Sequence, residues 1–420
     1  MMTSIFRCLK AKFIDLRWRQ RDFQDRLLFP RPREARIVAK VRASLPPSPS
    51  HGPKRLLVDV SVIQNHDAGT GIQRVVRSVR DNLPQVVRAS TTIEHIVVRK
   101  LREGYVTTSG AEPAGGLDSL FFGLDFATDS VYHARRQLLA LRRSGTPIWF
   151  LVHDILPMSH PHWFTYPSRL KYRRWMRVCA ALADGIFCVS PEVARQVTDM
   201  MMSRYGRMDL PRIVAVTPGY NITPADREVG SELLPLAPGL DTKAFARAVL
   251  VVGTLEPRKG HADALTAMDL LWRHGHDVPL VMIGREGWNT SELQAAIRHH
   301  KQYGRMLFWL ENVSDDSLHA AYAHCRLTLV PSLAEGYGLP LDEAWALGSS
   351  VLARDIPVFH RHQEEDSIRY FPKDADARTL ADAILSALSM DNGERHTPPL
   401  PNWHTAAQEF VRALGCARLA

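Results

Sequence analysis

The sequence lacks the marks of several protein classes. It has no run of about 18 uninterrupted apolar residues and no compact apolar core near its N-terminus, so we expect neither a membrane-spanning helix nor a secretory signal. Its five cysteines are odd in number and never spaced as Cys-x-x-Cys, which argues against a disulfide framework and a structural zinc site. We therefore expect a cytoplasmic protein in a reducing compartment.

Excess positive charge is confined to one part of the chain. Residues 1–55 carry 14 basic and 4 acidic side chains, whereas the 39 basic and 40 acidic residues of the remainder nearly cancel. The neutral remainder indicates no nucleic-acid partner. Within the basic arm, Phe6, Leu9, Phe13 and Leu16 are spaced as in an amphipathic helix that lies on an anionic membrane, at the inner face of the plasma membrane. A solvated arm, or a helix packed on the protein, is the alternative.

Short apolar runs alternate with helical patterns after a Pro- and Ser-rich linker at residues 45–55, as in α/β proteins with buried parallel strands. This alternation of strand and helix patterns stops at residues 223–242 and begins again near Arg247. The runs are LLVDV, IEHIVV, SLFFGL, IWFLVHD, IFCVS and IVAVTP in the first half and AVLVVG, VPLVMIG, RMLFWL, LTLVPS and SVLARD in the second. We predict two Rossmann-like, doubly wound domains that face one another across a cleft.

The domain boundaries follow from these patterns. We expect an arm and linker at 1–55, an N-terminal domain at 56–245, a C-terminal domain at 246–398, and a final helix at 399–420 that docks back on the body.

Two adjacent cations stand at a junction between a strand and a helix in the second half. The strand pattern VLVV is followed by Gly253, then by Arg258 and Lys259, and a helical pattern starts at His261. The N–H groups and dipole at such a junction attract anions, and the two cations add donors suited to a diphosphate. The segment matches neither a dinucleotide fingerprint nor a Walker loop. An ordinary exposed turn is the alternative.

Two carboxylates with seven residues between them follow a later strand, in the stretch SLAEGYGLPLDEAWALG. Glu335 lies in the predicted loop and Glu343 in the first turn of the predicted helix. An acid in a first helical turn has a structural explanation, but a loop acid next to glycines suits sugar hydroxyls, and Glu343 suits the hydroxyls of a ribose. A glycosidase pair would not need the cations at 258 and 259, so the combination favours a nucleotide-sugar.

These motifs resemble the retaining glycosyltransferases of family four, which have the two-domain GT-B architecture. The resemblance rests on VGTLEPRKG, VMIGREGW and the Glu-x7-Glu stretch, with weaker support from GTGIQRVVR and VHDILP. It covers roughly residues 56–414 and is closest to bacterial mannosyl- and rhamnosyltransferases of surface polysaccharide synthesis. The N-terminal domain would then face the acceptor and the C-terminal domain would bind the nucleotide-sugar.

The resemblance also implies roles for individual residues. The catalytic set would comprise Glu335 on the donor sugar, Arg258 and Lys259 on the diphosphate, and His153 near the sugar. The donor-binding set would comprise Gly69, Gly71, Gly253, Arg258, Lys259, Gly336, Tyr337, Gly338, Leu339 and Glu343. The assignments of His153 and of the glycine loop at 69–71 come from the N-terminal half.

The sequence offers its own reasons for those last assignments. His153 ends the apolar run IWFLV and should emerge at the carboxyl edge of the first sheet, where open α/β sheets bind ligands. A histidine that only caps the strand is the alternative. The stretch Gly69 to Gly71 follows the first strand and precedes a helix, so we expect it to face phosphates and not merely to form a turn.

We assign no metal site. Asp374 to Asp376 form an Asp-x-Asp, but a helix pattern follows and the stretch should cap it. The histidine pairs lack a third ligand and should be surface residues. These pairs are His160/His162, His299/His300 and His360/His362.

The expected function is metal-independent, retaining transfer of a hexose to an acceptor hydroxyl, without a cofactor. A nucleoside diphosphate sugar such as GDP-mannose would be the donor, and an oligosaccharide or a lipid-linked glycan the acceptor, in polysaccharide or lipopolysaccharide synthesis. The family implies front-face attack, in which the departing phosphate takes the acceptor's proton. A nucleotide-sugar epimerase, a phosphorylase of the same architecture and a catalytically silent glycan-binding homologue are the alternatives.

Overall fold

A computed structural model describes residues 31–49, 52–65, 67, 69–99, 104–222, 237–362, 365, 367–390 and 400–418. The predicted amphipathic segment from Phe6 to Leu16 lies outside these ranges. None of the helices in the described ranges is long and apolar enough to cross a membrane.

The first sheet has seven strands in the order β3-β2-β1-β4-β5-β6-β7, all parallel except β3, which runs antiparallel to β2. The central strands β4, β5 and β6 are buried along their whole length because helices cover both faces, as their continuous apolar sequences predict. The strands are β1 (Arg55–Asp59), β2 (Thr92–Val97), β3 (Val106–Thr107), β4 (Ser119–Gly123), β5 (Ile148–Val152), β6 (Gly185–Cys188) and β7 (Arg212–Ala215).

The second sheet has six parallel strands in the order β10-β9-β8-β11-β12-β13. The strand order reverses between β8 and β11, so the loops that follow these two strands diverge and leave a crevice, as is typical of ligand sites in open α/β sheets. The strands are β8 (Val249–Val252), β9 (Leu280–Ile283), β10 (Leu307–Leu310), β11 (Leu327–Val330), β12 (Val351–Arg354) and β13 (Ile368–Phe371).

Helices connect the strands and cover the sheets. In the N-terminal half they are α1 (Arg31–Arg42), α2 (Gly71–Val86), α3 (Thr128–His133), α4 (Arg135–Arg143), α5 (Leu156–Ser159), α6 (Tyr166–Leu182) and α7 (Pro191–Ser203). In the C-terminal half they are α8 (Thr242–Phe245), α9 (His261–Arg273), α10 (Ser291–Arg298), α11 (Asp315–His324), α12 (Leu339–Ala346), α13 (Ala377–Ser389) and α14 (Trp403–Ala413). Short 3-10 helices span Pro161–Trp163, Pro257–Lys259 and Pro357–His362.

Local sequence sets several helix starts. Thr70 and Gln73 form a capping box at the start of α2, which fixes the end of the glycine loop. Asp376 accepts a hydrogen bond of 2.8 Å from the N–H of Thr379 and caps α13. This capping role is the one that the Asp-x-Asp stretch predicts.

The C-terminal part of the basic arm packs on the N-terminal domain. Helix α1 packs on α6, Val38 is buried, and Glu34 pairs with Arg204 at 2.7 Å. Residues 31–42 therefore belong to the N-terminal domain.

The chain returns to the N-terminal domain after the second sheet. The N–H of Tyr220 donates to the carbonyl of Pro401 at 2.9 Å, so the outgoing and returning segments run side by side. Beyond this point α14 packs on α2, and the ring of Phe410 lies 4.6 Å from that of Phe187. Burying one such phenylalanine contributes about 1.5 to 3 kcal/mol.

Candidate active site

The loops that follow β8 and β11 contact each other at the carboxyl edge of the second sheet. The N–H of Leu333 donates to the carbonyl of Arg258 at 2.7 Å. A Cβ on Gly260 would lie 2.1 Å from the carbonyl oxygen of Pro331, so the two backbones are in direct contact. The cations after β8 and the carboxylate after β11 therefore belong to one site.

Glu335 lies at the centre of a charged cluster. Its Oε1 accepts hydrogen bonds from Lys259 Nζ at 2.6 Å and from Ser332 Oγ at 2.8 Å, and its Oε2 accepts from Arg258 Nη1 at 2.5 Å. Arg258 also pairs through Nε with Glu256 at 2.8 Å. All four charged side chains of this cluster are mostly buried.

The cluster keeps Glu335 and Arg258 ionised. Burial raises the pKa of Glu335, but Lys259 and Arg258 outweigh it and bring that pKa down to about 2. Burial lowers the pKa of Arg258, and the carboxylates of Glu335 and Glu256 overcome this effect and raise it. Glu335 is therefore an acceptor of hydrogen bonds, and not a proton donor, at any ordinary pH.

Glu343 is the fifth residue of α12, one position past the predicted first turn, whose acidic residue is Asp342, and it is buried. Its Oε2 accepts a hydrogen bond from the Tyr322 hydroxyl at 3.1 Å. Its Oε1 forms an ion pair with Arg74 of α2, which belongs to the N-terminal domain. Glu343 thus lies at the boundary between the two domains, on the cleft.

His153 lies immediately after β5 and is buried. Burial lowers its pKa to about 4, so the imidazole is neutral near pH 7. Its Nε2 has no hydrogen-bond partner among the described residues. The neighbouring Asp154 accepts from the N–H of Leu156 at 3.0 Å; burial raises its pKa, while the charge of Arg258 opposes that rise. A Cβ on Gly336 would lie 3.2 Å from Asp154 Cβ, so this edge lies against the Glu335 loop.

Gly336 is where the two domains touch. Its carbonyl accepts a hydrogen bond of 2.7 Å from Ser190 Oγ. A Cβ on Gly336 would lie 1.9 Å from the carbonyl oxygen of His153, a distance that no side chain tolerates. Gly338 has φ of +96°, and a Cβ there would meet the ring of Phe359 at 2.3 Å. Both glycines are required by the backbone geometry.

The glycine loop of the N-terminal domain faces α12. Gly71 is the first residue of α2, and a Cβ on it would lie 3.6 Å from Leu339 Cδ1, at the start of α12. The N–H of Gly69 donates to Asp67 Oδ1 at 2.9 Å.

Gly253, which follows β8 in the C-terminal domain, lies close to the aliphatic chain of Lys259, with its Cβ position 3.5 Å from Cε.

Tyr337 and Leu339 help to form the domain boundary. Tyr337 is buried in the core of the N-terminal domain, and Leu339 packs against the same core. The Arg361 guanidinium lies 4.1 Å from the centre of the Tyr337 ring. The structure thus brings the predicted residues together around one cleft, with 253, 258, 259, 335–339 and 343 on one side and 69, 71 and 153 on the other.

Sequence reasoning missed several residues at this cleft. Arg74 was not identified, nor was Asp342, which is buried and accepts from Arg361 at 2.8 Å, from His362 at 2.7 Å and from the Tyr220 hydroxyl. An aspartate inside the otherwise apolar pattern LPLDEAWAL was the available signal for Asp342.

The expectation that the paired histidines lie on the surface is wrong for His362. It is buried because its imidazole bonds the carboxylate of Asp342. The other five are intermediate or exposed, and His160 stacks on the indole of Trp163 at 4.4 Å.

Residues 243–398 match the model of the family described as glycosyl transferases group 1. This match assigns the segment that holds the second sheet to the family. The chain is also 33% identical over 357 residues to the serotype-specific mannosyltransferase WbdA of Escherichia coli, a match that covers 82% of this chain and 42% of that protein. The chain therefore spans less than half the length of this relative.

Two solved structures have the same fold. The structure of Anabaena Alr3699/HepE in complex with UDP and glucose matches with a TM-score of 0.53 at 16% identity and covers 86% of this chain and 97% of that chain. Sucrose-phosphate synthase from Thermosynechococcus elongatus matches with a TM-score of 0.54 at 15% identity and covers 86% and 94%. The predicted architecture is confirmed: two parallel-sheet α/β domains in the GT-B arrangement.

Proposed function

We propose that this chain transfers a hexose, with mannose favoured, from a nucleoside diphosphate sugar to a hydroxyl group of a glycan acceptor. The observation that carries the proposal is the contact of Glu335 with both Lys259 and Arg258 at the carboxyl edge of the second sheet. Such a cluster offers a carboxylate for a sugar and two cations for a diphosphate within a few ångströms.

The diphosphate would lie at the start of two helices. Helices α9 and α12 follow the N-cap residues Gly260 and Gly338, and neither has a side-chain hydrogen bond that caps its first N–H groups. Uncapped helix starts attract anions through these N–H groups and the helix dipole. Lys259 and Arg258 would add charge-assisted bonds and neutralise the negative charge that grows as the glycosidic bond breaks, which is stabilisation of the transition state.

The sugar would lie between Glu335 and His153. Glu335 is ionised and accepts hydrogen bonds from hydroxyl groups, and the neutral imidazole of His153 has an unpartnered Nε2 that can bond another hydroxyl. Glu343 would accept from the ribose hydroxyls. The glycines at 69, 71 and 253 would let the donor approach the backbone. Gly336 and Gly338, with Tyr337 and Leu339, would hold the Glu335 loop in place at the domain boundary.

The pKa values favour a mechanism without a side-chain base. With pKa values of about 2 and about 4, Glu335 and His153 hold protons too weakly to take one from an acceptor hydroxyl near neutral pH. The oxygen of the departing phosphate is the stronger base in such a site. We therefore propose retention of configuration by attack from the side of the leaving group, with the cations of the chain in place of a metal ion.

Mannose is proposed on the similarity to the mannosyltransferase WbdA. GDP-mannose and a surface-polysaccharide acceptor are proposed on the resemblance of the sequence motifs to bacterial glycosyltransferases. The acceptor would be a lipid-linked glycan or an oligosaccharide. The basic arm would bind the inner face of the membrane, where the transfer would take place.

An assay with a panel of GDP-, UDP- and dTDP-sugars tests it. The full chain is incubated with each donor and with an oligomannoside acceptor, with and without EDTA, and products are identified by mass and by the anomeric NMR signal. We expect acceptor-dependent product with the anomeric configuration of the donor and no loss in EDTA. Product without acceptor would indicate an epimerase, and activity that requires added Mg²⁺ or Mn²⁺ would contradict the assigned diphosphate site.

A further inference from the structure

The charges of the candidate site are already matched. Arg258 and Lys259 face the carboxylates of Glu335 and Glu256, so these four side chains together carry no net charge. A nucleoside diphosphate brings about two further negative charges to this place. Buried anions without added positive charge are unfavourable, so the donor requires another cation near its phosphates.

Arg74 lies opposite this position, on the other side of the cleft. It is in the first turn of α2, whose first residue, Gly71, comes within contact distance of Leu339. Leu339 opens α12, one of the two uncapped helices at which the diphosphate is proposed to lie. The cation of the N-terminal domain thus faces a phosphate position of the C-terminal domain.

In the ion pair between Arg74 and Glu343, the Glu343 side chain is held in place, whereas the Arg74 side chain has room to change conformation. The side chain of Glu343 is 7% exposed and its second oxygen is held by Tyr322, whereas the side chain of Arg74 is 33% exposed. A guanidinium has five N–H donors, and Glu343 is the acceptor that Arg74 uses among the described residues. Arg74 can therefore turn away while Glu343 stays in place.

We propose that Arg74 is a third phosphate-binding cation, which Glu343 holds until the ribose of the donor replaces it. The proposal rests on the proposed function, since it needs a donor with both a ribose and a diphosphate. The ribose hydroxyls take over the carboxylate of Glu343, and the released guanidinium bonds the diphosphate. The diphosphate then lies between Arg74 of one domain and the cations of the other, so the donor replaces the direct contact of Arg74 with Glu343 by a contact through its phosphates.

Calorimetry on the full chain separates this role from a structural one. GDP, UDP, dTDP and the corresponding nucleosides are titrated into wild type, Arg74→Ala and the control Arg80→Ala, which alters an arginine of the same helix that pairs with Asp81. We expect Arg74→Ala to weaken binding of the diphosphate about tenfold or more and not to weaken binding of the nucleoside, whose ribose no longer has to displace Arg74 from Glu343. Arg80→Ala should change neither affinity. Arg74→Lys keeps the positive charge but lacks the planar guanidinium, so it should lose less affinity for the diphosphate than Arg74→Ala.

Two results would overturn the inference. One is unchanged affinity of Arg74→Ala for the diphosphate, and the other is an equal loss for diphosphate and nucleoside, which would mean that Arg74 only positions Glu343. Failure of the wild-type protein to bind any of the three diphosphates would instead overturn the proposed function, and this inference with it.

Inorganic pyrophosphate gives a second and independent measurement, because it has no ribose to displace Arg74. Glu343→Gln weakens the hold on Arg74 without changing the size of the side chain, so we expect this variant to bind pyrophosphate several-fold more tightly than wild type. The gain should disappear in the double variant Arg74→Ala/Glu343→Gln. A gain that persists in the double variant, or no gain in Glu343→Gln, would contradict the proposal.

Discussion

Ser190 donates a hydrogen bond of 2.7 Å to the carbonyl of Gly336, and this bond joins the start of α7 in the N-terminal domain to the Glu335 loop of the C-terminal domain. The same serine caps α7 by accepting from the N–H of Val193 at 3.2 Å. The position of the loop is therefore tied to a helix start in the opposite domain. Any change that separates these two backbones displaces Glu335.

Gly336→Ala should abolish most of the activity while the protein remains folded. The new Cβ would lie 1.9 Å from the carbonyl oxygen of His153, so the loop must shift by an ångström or more. A displacement of this size costs about 100-fold in transfer rate. Gly275→Ala, beyond the C-terminal end of α9, is the control, because a Cβ there meets no atom within 4 Å and adds only the local backbone strain of a φ of +84°. Equal initial rates for the two variants would contradict the close approach.

Lys259→Ala and Glu335→Gln should have different effects. Lys259 would touch the diphosphate in the ground state and the transition state, so its loss should weaken binding of free nucleotide and also slow turnover. Glu335→Gln removes a negative charge beside two cations, so nucleotide binding should be retained while transfer falls about 10- to 150-fold. Calorimetry with free nucleoside diphosphate and initial-rate assays measure the two effects. Loss of nucleotide binding in Glu335→Gln, with Lys259→Ala unaffected, would reverse the assigned polarity of the site.

Asp59 should make stability depend on pH. It is buried at the end of β1, where burial, followed by the nearby charge of Asp125, raises its pKa to about 7. The folded protein therefore holds a proton that the unfolded chain releases near pH 4, so the stabilisation from this group is complete below pH 4 and is lost as the pH rises to 7.

The variant Asp59→Asn should remove this dependence. Relative to wild type it should be more stable at pH 8 than at pH 5, with a difference between the two pH values of roughly 2 to 3 kcal/mol. Denaturant titrations at both pH values measure it, and Asp199→Asn, at an exposed pair with Arg195, is the control. A stability difference between Asp59→Asn and wild type that is identical at pH 5 and pH 8 would exclude a protonated Asp59.

The basic arm should bind anionic membranes. Deletion of residues 2–30 removes the predicted amphipathic segment and spares α1, which packs on α6. We expect wild type to sediment with vesicles that contain anionic phospholipid, the truncated chain to stay in the supernatant, and salt to weaken the binding of wild type. Binding that survives the deletion or is indifferent to salt would contradict this prediction.

The sequence predicts the strands well where they are buried on both faces. Every apolar run identified in the sequence overlaps a strand of the structure. The two strands without such a run are β3, which has two residues, and β13, which contains the sequence IRYF with two partly exposed residues. Both lie at sheet edges, where one neighbour is missing and a continuous apolar sequence is not needed.

Some contacts of the candidate site could be predicted from the sequence and others could not. Glu335 could be grouped with Arg258 and Lys259 from the sequence because two cations and a loop carboxylate after strands of one domain together suit a nucleotide-sugar. The structure places those strands, β8 and β11, side by side. The pairing of Arg74 with Glu343 could not, since 269 positions separate them and their contact depends on how the two domains dock. Local patterns carry no information on such docking.

The side-by-side passage of the chain at Tyr220 and Pro401 has a consequence for engineering. The described residues before this point and those after it both pack into the N-terminal domain, so the C-terminal domain is topologically an insertion. A chimaera that exchanges donor preference needs two junctions, at this one place, and can leave α14 and its Phe410 contact untouched. Exchange of everything beyond Tyr220 would instead remove α14 and uncover the aromatic surface that Phe410 covers on Phe122 and Phe187.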